Sequence, residues 1–463
     1  MVSNSYKAEK IDVQSAVIIN YDREVITDIK RILVDFNVYE DLFSPNMTFS
    51  ATILDSNGLI ERFPFIGEEL VAISFKIPTV KKSIDKVFAI YKVSNRKEKE
   101  ERNESYTIHG ISTEFIVNSN ASVDNSFVGL PFSQMVKSVY NEYFNKSSKK
   151  VGNKKFITYE KDFFVEDTYG KHSIVSPLST PFEFIQYCAR QSQSSKYRES
   201  DYIFYENDDG FNFRTISGLL EQDPVEDYYS VDPSAKRGRN DKVKEHQIIR
   251  EISYDDREFD VLESLNYGLY DNDVAVIDPI LKRFKNTTLN YHQSKKDFTN
   301  LHSHRFTSDF SVFKQFDGSS HARYLVSNIS DETYNETSYL KNRTENDPVS
   351  KHPFVRHKFL NHLVSKIAQV NTKFALRIVI PGDPTRKVGD IIRFFIPQRS
   401  GSQEFLNRYN FMYGEKEPRF IITAIHHNYS YKEDTYMTTL EIIKDSLGQK
   451  VFAQQVAALG GVT

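Results

Sequence analysis

The sequence predicts a mainly β fold that includes an α+β part, and three observations support this prediction. Apolar and polar residues alternate with a period of two in many segments, which is typical of strands that bury one face. Apolar residues with helical spacing occur in only a few segments. The 463 residues include 35 Phe and 27 Tyr but no Trp, and Phe and Tyr favour half-buried pleated surfaces.

Length, charge and cysteine usage narrow the class of protein. A chain of 463 residues is too long for one hydrophobic core, so we expect three or four domains. The 60 basic and 63 acidic residues give a net charge of −3, without the basic excess typical of proteins that grip nucleic acid phosphates. The single Cys188 cannot form an internal disulfide. The first residues are too polar for a secretory signal, and no apolar run reaches the ~20 residues that span a bilayer. We therefore expect a soluble protein that is made in a cytoplasm.

Five segments of the first 111 residues alternate as antiparallel strands do. They cover residues 34–39, 47–53, 71–77, 87–93 and 105–111. Between the last two, residues 96–104 are nearly all charged, as the solvated tip of a hairpin would be. Because no long helix interrupts these segments, we expect residues 1–117 to form a small barrel or sandwich.

Two helices are expected in the next part of the chain. The first begins at Phe132, and its apolar residues then recur at helical spacing. The second begins after Thr180, because Pro181 follows directly and Glu183 completes a capping box. Cys188 lies on the apolar side of this second helix, where a small core residue is a better interpretation than a nucleophile.

A hairpin and a linker complete this part. Strand candidates 202–205 and 211–216 flank the turn residues 207–210. Residues 222–241 contain two prolines, many acids and the basic cluster 236–239, and little that could be buried, so we interpret them as a solvated linker. Residues 118–240 are therefore predicted to form an α+β domain on the periphery.

Strand patterns return in the second half. They cover residues 247–254, 260–270, 374–380, 390–396, 419–429 and 435–444. A helix is expected at 352–370, and residues 286–347 are polar and suggest an insertion. We expect a second barrel from 241–280 plus 371–447, an inserted peripheral region at 281–370 and a C-terminal tail at 448–463. The halves share no residue-level repeat, so the pairing of two barrels is an architectural hypothesis.

A search for catalytic or metal-binding motifs yields only weak candidates. His302 and His304 form an HxH pair, but no partner ligands occur at metal-site spacing around it. The residues His352, His357 and His362 are five apart, which spreads them around a helix.

The remaining pair, His426-His427, would alternate across a strand. No nucleophile elbow, Walker motif or dinucleotide-binding glycine pattern is present. We predict no catalytic residue, no metal site and no cofactor, and a protein that is not an enzyme.

Two turn sequences in residues 39–77 carry a resemblance. They are Asp55-Ser56-Asn57-Gly58-Leu59 and Pro64-Phe65-Ile66-Gly67-Glu68-Glu69. With the strand that precedes them, they resemble the opening barrel of baseplate hub proteins from contractile-tailed, T-even-like bacteriophages. That family is related to the N-terminal half of type VI secretion spike proteins. Residues 180–185 with 202–206, and the turn 381–390, resemble later parts of the same family, whereas residues 286–347 match nothing in it.

The resemblance implies a specific architecture and set of partners. Each chain would supply two tube-type antiparallel β-barrels, and three chains would form a ring of six barrels around a channel. This homotrimer would join the hexameric tail tube to the trimeric central spike, and DNA would pass transiently and non-specifically through the channel. Further implied partners are a tail tube or tube-initiator protein, baseplate wedge proteins and the tape-measure protein. The implied location is the baseplate of the phage tail in the virion, assembled in the host cytoplasm.

Other functions stay open on the sequence alone. The hub of a non-phage contractile injection system or tailocin would be distinguished by its neighbouring genes. Repeats and clustered exposed aromatic residues would favour a carbohydrate-binding tail-fibre protein. A tail-associated hydrolase would turn over peptidoglycan, which a hub would not.

The C-terminal residues 448–463 contain a narrow apolar stripe formed by Phe452, Val456 and Leu459. A free helix of this length would be marginal, so the tail either docks or is a frayed end. We propose that it docks on the spike or on a neighbouring hub subunit; the alternatives are docking on the second barrel and a frayed end.

Overall fold

The fold is known from a computed structural model. It describes residues 9–20, 26–63, 65–67, 69–77, 80–100, 103–144, 161–197, 199–230, 244–254, 271–278, 283–290, 299–302, 324–328, 375–395, 418–431 and 434–446. The strands up to residue 130 are β1 (Asp12–Ile19), β2 (Ile26–Asp28), β3 (Leu33–Asp41), β4 (Thr48–Asp55), β5 (Leu70–Ile77), β6 (Val80–Glu100), β7 (Asn103–Ile111) and β8 (Ser126–Leu130). The next strands are β9 (Asp162–Val165), β10 (His172–Val175), β11 (Tyr202–Asn207), β12 (Gly210–Thr215), β13 (Glu226–Tyr229), β14 (Glu251–Tyr254), β15 (Asp271–Asp278) and β16 (Arg283–Asn290).

The last strands are β17 (Tyr324–Asn328), β18 (Ala375–Pro381), β19 (Ile391–Phe395), β20 (Arg419–Ser430) and β21 (Thr435–Ile443). The α-helices are α1 (Leu59–Arg62), α2 (Thr113–Ser119), α3 (Phe132–Tyr143), α4 (Pro181–Gln191) and α5 (Ile216–Leu220), and a 3₁₀ helix covers Glu245–Gln247. The predicted mainly β, α+β fold class is confirmed.

One large sheet organises the described part of the chain. Its strands lie in the order β14-β18-β21-β20-β3-β4-β7-β6-β5-β1-β2, and β19 joins β20 and β13 beside this path. The antiparallel pair β3–β20 connects strands from the two ends of the chain, from Asp35 opposite Ser430 to Asp41 opposite Ala424. We call this pair the seam. The sheet is open in the described residues, so closure of the two predicted barrels stays a prediction.

Two apolar cores lie under the large sheet. The first gathers alternate residues of β1 and β3–β7, such as Phe36, Phe49 and Phe75, because period-2 alternation directs them to one side. The second gathers residues of β18–β21, such as Ile378 and Leu440, and reaches Tyr205 on β11. Strands β20 and β21 contribute to both cores, so the seam belongs to one continuous packed structure.

The turn between β4 and β5 has the features that its sequence predicts. The Asp55 carboxylate accepts hydrogen bonds from the backbone amides of Asn57 and Leu59, and Gly58 has φ +64°. The Glu69 carboxylate accepts from the amides of Ile66 and Gly67, at 2.7 and 3.0 Å. In both turns, therefore, a side-chain carboxylate takes the place of a backbone carbonyl as the acceptor for the turn amides. The short helix α1 was not predicted.

The α+β part packs around a separate aromatic core formed by α3, α4 and the sheet β11-β12-β9. Helix α4 begins as predicted: Thr180 accepts from the Glu183 amide, and the Glu183 carboxylate accepts from the Thr180 amide. Cys188 is fully buried, and burial raises the pKa of its thiol. The predicted helix from Phe132 and the predicted hairpin β11–β12 are also confirmed.

Three segments differ from their predicted structure. Much of the charged run 96–104 is strand, because β6 and β7 continue through it with an Arg96–Glu104 ion pair of 2.9 Å between them. Part of the expected linker is the strand β13, which pairs in parallel with β19. Strand β15, expected in the second barrel with residues 241–280, pairs instead with β16 and β17 in a separate sheet.

Several predicted segments lie outside the described residues. They are the strand 260–270, most of the polar region 286–347, the helix 352–370, the basic cluster 236–239 and the C-terminal tail 448–463. Strands β16 and β17 lie partly or wholly in the polar region, so that region includes regular structure.

Candidate functional site

The side away from the cores is polar on strands β3, β4, β7, β20 and β21 of the large sheet. In the antiparallel register, Asn37 lies opposite both Ser50 and Asn428, and Ser50 lies opposite His109. Residues that are paired in this way point to the same side of a sheet. We define the polar face as these residues and their neighbours on the same side: Asn37, Tyr39, Thr48, Ser50, Thr52, Thr107, His109, His426, Asn428 and Thr439. Their side chains are partly or fully exposed.

Hydrogen bonds of the polar face cross the seam. His426 Nε2 lies 2.8 Å from Asn37 Oδ1, and Asn428 Nδ2 donates to the same oxygen at 2.7 Å. Because an amide oxygen only accepts, Nε2 carries the ring hydrogen of His426. The His426 ring also stacks on Tyr39, with ring centroids 4.4 Å apart. The two ends of the chain are thereby joined by side chains as well as by backbone hydrogen bonds.

A second histidine of the polar face lies in the first half. His109 Nε2 is 2.7 Å from Ser94 Oγ, and the ring of Tyr91 lies beside it. Burial lowers the pKa of His109, and the nearby Lys92 acts in the same direction. Burial likewise lowers the pKa of His426. Both imidazoles are therefore neutral at neutral pH.

Charged residues lie at the margins of the polar face. Asp35 and Asp41 occupy the ends of β3, and Lys92 lies on β6. Arg377 and Glu441 form an ion pair at 3.4 Å on the adjacent strands β18 and β21. The middle of the face, from Asn428 through Asn37 and Ser50 to His109, is a continuous uncharged strip of hydrogen-bonding groups.

Buried polar groups lie on the core side of the seam. His427 Nδ1 is 3.0 Å from Tyr436 Oη and 3.2 Å from Thr438 Oγ1. Burial lowers the pKa of His427 to about 3 and raises that of Tyr436, so both stay neutral. Glu40, also on the core side, is 2% exposed. As predicted, His426 and His427 lie on opposite sides of the strand.

A cavity of about 180 Å³ lies where the large sheet meets the β11–β12 hairpin. On one side, Lys161 Nζ contacts Glu114 at 2.6 Å and Glu206 at 2.5 Å. Burial opposes the charge of Lys161, but Glu206 and Glu114 raise its pKa above the usual value. On the other side, Lys86 forms an ion pair with Asp208. These charges are paired, so removal of one partner would leave an uncompensated charge at the junction between the two parts.

Glu206 holds this junction together. Its side chain is fully buried, and its carboxylate accepts from the Met47 amide at 2.9 Å and from Ser112 Oγ at 2.5 Å. Removal of this carboxylate would deprive three donors, the Met47 amide, Ser112 Oγ and Lys161 Nζ, of their shared acceptor. The sequence did not mark Glu206, because its donors come from three distant segments.

Of the histidines considered above as metal ligands, His302, His426 and His427 lie within the described residues. His302 donates its backbone amide to Ser446 Oγ, and its ring lies 3.4 Å from the Arg419 carbonyl. His304 and the series 352, 357 and 362 lie outside the described residues. Over the part of the chain that the structure describes, no three His, Cys, Asp or Glu are arranged to hold a metal ion. In the same part, no helix is long and apolar enough to cross a membrane.

Neither a protein-family model nor a curated protein matches the sequence. Solved structures are similar in fold. A tail protein from Neisseria meningitidis MC58 has a TM-score of 0.54 at 10% identity, over 94% of this chain and 96% of that one. The 43 kDa tail protein of prophage MuSo2 from Shewanella oneidensis has a TM-score of 0.49 at 8% identity, over 94% of this chain and 100% of that one. A type VI secretion component of E. coli is described as similar to T4 tail proteins gp27 and gp5. It has a TM-score of 0.40 at 8% identity, over 96% of this chain and 79% of that one.

The Neisseria match extends over nearly the full length of both chains, so it concerns the whole arrangement of strands and helices. At such low identity the similarity shows the fold and nothing more. The predicted structural resemblance to tail proteins is confirmed at this level, and the chain has the fold of a tail protein.

Proposed function

We propose that the chain is a structural subunit of a phage baseplate hub, without enzymatic activity. Three copies form a ring that adapts the hexameric tail tube to the trimeric central spike. Each chain supplies two sheet halves, so three chains provide six positions around the ring. The observation that carries this proposal is the continuous uncharged strip that runs across the seam from one half to the other.

The strip suits the wall of a channel for DNA. A basic wall would bind the phosphates and retain the DNA, whereas an acidic wall would repel it. Asn37, Ser50 and Asn428 are neutral, and His109 and His426 have lowered pKa values, so the wall presents hydrogen-bonding groups without charge. Such a surface stays hydrated and offers DNA no fixed binding site.

The seam supports the idea that each chain fills two equivalent positions of the proposed six-position ring. It fixes one half against the other through a seven-residue backbone register and the contacts of Asn37. In the proposed ring, this junction within a chain alternates with a junction between chains. The tail tube, or a tube initiator, contacts one end of the ring and the spike the other. Wedge proteins contact the periphery, and the tape-measure protein contacts the channel.

The domain division that fits this proposal is a revised one. Residues 1–117 form the first barrel, and 118–222 form the peripheral α+β domain. Strand β13 belongs to the second barrel with β14 and β18–β21, since it pairs with β19. Residues 271–328 belong to the inserted region. We place the protein in the baseplate of the virion, after assembly in the host cytoplasm.

Native mass spectrometry of the purified chain with its spike tests the proposal. A homotrimer has a mass of about 161 kDa, from chains of 53.8 kDa. The proposal predicts this species, with or without bound spike. A monomer that persists at high concentration with the spike present would contradict it.

A further inference from the structure

The turn of the β11–β12 hairpin contacts both halves of the large sheet. The first half consists of strands β1–β7, and the second half consists of β14 and β18–β21. Asp208, in the turn, forms an ion pair with Lys86 on β6 of the first half. The next residue, Asp209, forms one at 2.6 Å with Lys387, in the turn between β18 and β19. One turn therefore joins the same two halves that the seam joins.

The hairpin is packed into the second half. Tyr205 on β11 is 1% exposed and belongs to the core formed by β18–β21, as does Ile203 on the same strand. Gly389, in the turn before β19, lies so close to the Tyr205 hydroxyl that a Cβ atom there would be 3.0 Å from the oxygen. Close-packed contacts of this kind resist displacement, so the hairpin and the second half form one body.

Polar contacts around a cavity join the hairpin to the first half. The Glu206 carboxylate accepts from the Met47 amide, just before β4, at 2.9 Å and from Ser112 Oγ, just after β7, at 2.5 Å. These three residues line the cavity of about 180 Å³, together with Lys86 and Asp208. Packing around a cavity is looser than packing in a core, and a polar contact can be exchanged for one with water. A few polar side chains therefore control the hold of the hairpin on the first half.

The seam by itself leaves the angle between the two halves adjustable. It is a single antiparallel pair of strands with seven residues opposite one another. The twist between neighbouring strands varies from roughly −10 to −35° among sheets. The hairpin reaches the sheet from its core side, because Lys86 lies opposite Ile73, which belongs to the first core. It thus contacts both halves on the side away from the polar face.

We propose that the β11–β12 hairpin is a brace that fixes the angle between the two halves of the large sheet. Its apolar side is fixed in the second half, and Glu206 and Asp208 hold the first half. Loss of the polar hold leaves the seam to act as a hinge. The brace gives the peripheral α+β domain a role that the proposed function does not assign. In the ring, a fixed angle would let three chains close, and this consequence rests on the proposed function.

Distances between spin labels on the full chain test the brace. Lys76→Cys on β5 and Arg377→Cys on β18 place one label on each half, at exposed positions in strands that have a neighbour on each side. The native Cys188 is buried and stays unlabelled. Labelled chain is diluted in unlabelled chain, so that only distances within one chain are measured.

The variant Glu206→Gln with Asp208→Asn removes both carboxylates and keeps the side-chain shapes. Wild type should give one narrow distance distribution, and the variant should give one about twice as broad, because the twist at the seam becomes free. Glu221→Gln is the matched control, since it removes an exposed ion pair with Lys196 within the peripheral domain. It should keep the wild-type width.

Equal widths for wild type and the double variant would overturn the brace. If the double variant does not fold, Lys86→Met takes its place. This change cuts the ion pair with Asp208 and leaves the contacts of Glu206, so a smaller broadening is expected. An unchanged width in Lys86→Met would then refute the proposal.

Native mass spectrometry of the same proteins separates the brace from the ring. The concentration at which half of the chains are trimeric should rise about fivefold in the double variant, because assembly must then order the hinge. A wild-type chain that stays monomeric with its spike would contradict the proposed function, while the label distances would still decide on the brace. Equal trimer formation by wild type and the double variant would overturn the role of the brace in ring closure.

Discussion

His426 Nε2 lies 2.8 Å from Asn37 Oδ1, and this contact joins residues 389 positions apart in the sequence. It lies on the polar side of the seam, directly above the buried pair His427 and Tyr436 on the core side. Strand β20 therefore makes side-chain hydrogen bonds on both sides of the sheet, to β3 on the polar side and to β21 on the core side. The proposed ring, in which each chain fills two of six positions, depends on this connection between the two halves of the chain.

Asn37→Ala should destabilise the seam. The change removes the acceptor for both His426 and Asn428, and at a partly exposed site this costs about 1–2 kcal/mol. We expect the thermal midpoint to fall by a few degrees. Thr52→Ala, on the same face of the neighbouring strand β4, is the control and should have a smaller effect. Equal midpoints for the two variants would mean that the amide contacts contribute nothing.

Phe49→Asp should damage the first core severely. Phe49 is 2% exposed and stacks on Phe88 with centroids 5.1 Å apart, so the variant buries a charge without a partner. The expected loss is several kcal/mol of unfolding free energy. Thr48→Asp, the adjacent residue on the polar face, should fold with only a small loss. Thermal unfolding measures both, and similar midpoints would refute the assignment of the two faces.

Lysines on the uncharged strip should make the assembly retain DNA. In the variant that combines Ser50→Lys with Thr107→Lys, the proposed trimer would carry six added positive charges in its channel, and DNA binding should become salt-dependent. The wild-type trimer should bind duplex DNA weakly at physiological salt. Val128→Lys, at a side chain of β8 that is 79% exposed, is the control for added charge. Equal DNA retention by wild type and the double variant, measured by filter binding, would mean that the strip does not face the DNA.

Deletion of residues 451–463 tests the proposed role of the C-terminal tail. These residues lie outside the described part of the chain, and the prediction depends on their apolar stripe. The truncated hub should still form a trimer but recover less spike in co-purification. Full spike recovery would refute a spike contact, and loss of folding would favour docking within the chain.

The sequence was most informative where a pattern is local. Alternation located the strands that flank the seam, and the capping box at Thr180 located the start of α4. Strand β13 was missed because it has only four residues, two of them acidic, and it pairs with a strand more than 160 residues later. The position of Glu40 could have been noticed, since it continues the buried alternation of Phe36 and Val38.

The ion pair of Lys86 with Asp208 could not have been predicted in this way. Lys86 and Asp208 come from separate segments, and only the folded chain brings them together. The polar face could be predicted from the sequence only in part. Its alternating Ser, Thr and Asn residues indicate a side that does not join the core, but the register that aligns five strands depends on the seam.

Cryo-electron microscopy of the purified chain assembled with its spike tests the central claim most directly. The account predicts a threefold ring of three chains in which Asn37, Ser50 and His426 face a central channel. The seam within each chain should alternate with a junction between chains around the ring. A ring with the polar face on its outer surface, or an assembly without threefold symmetry, would contradict the account.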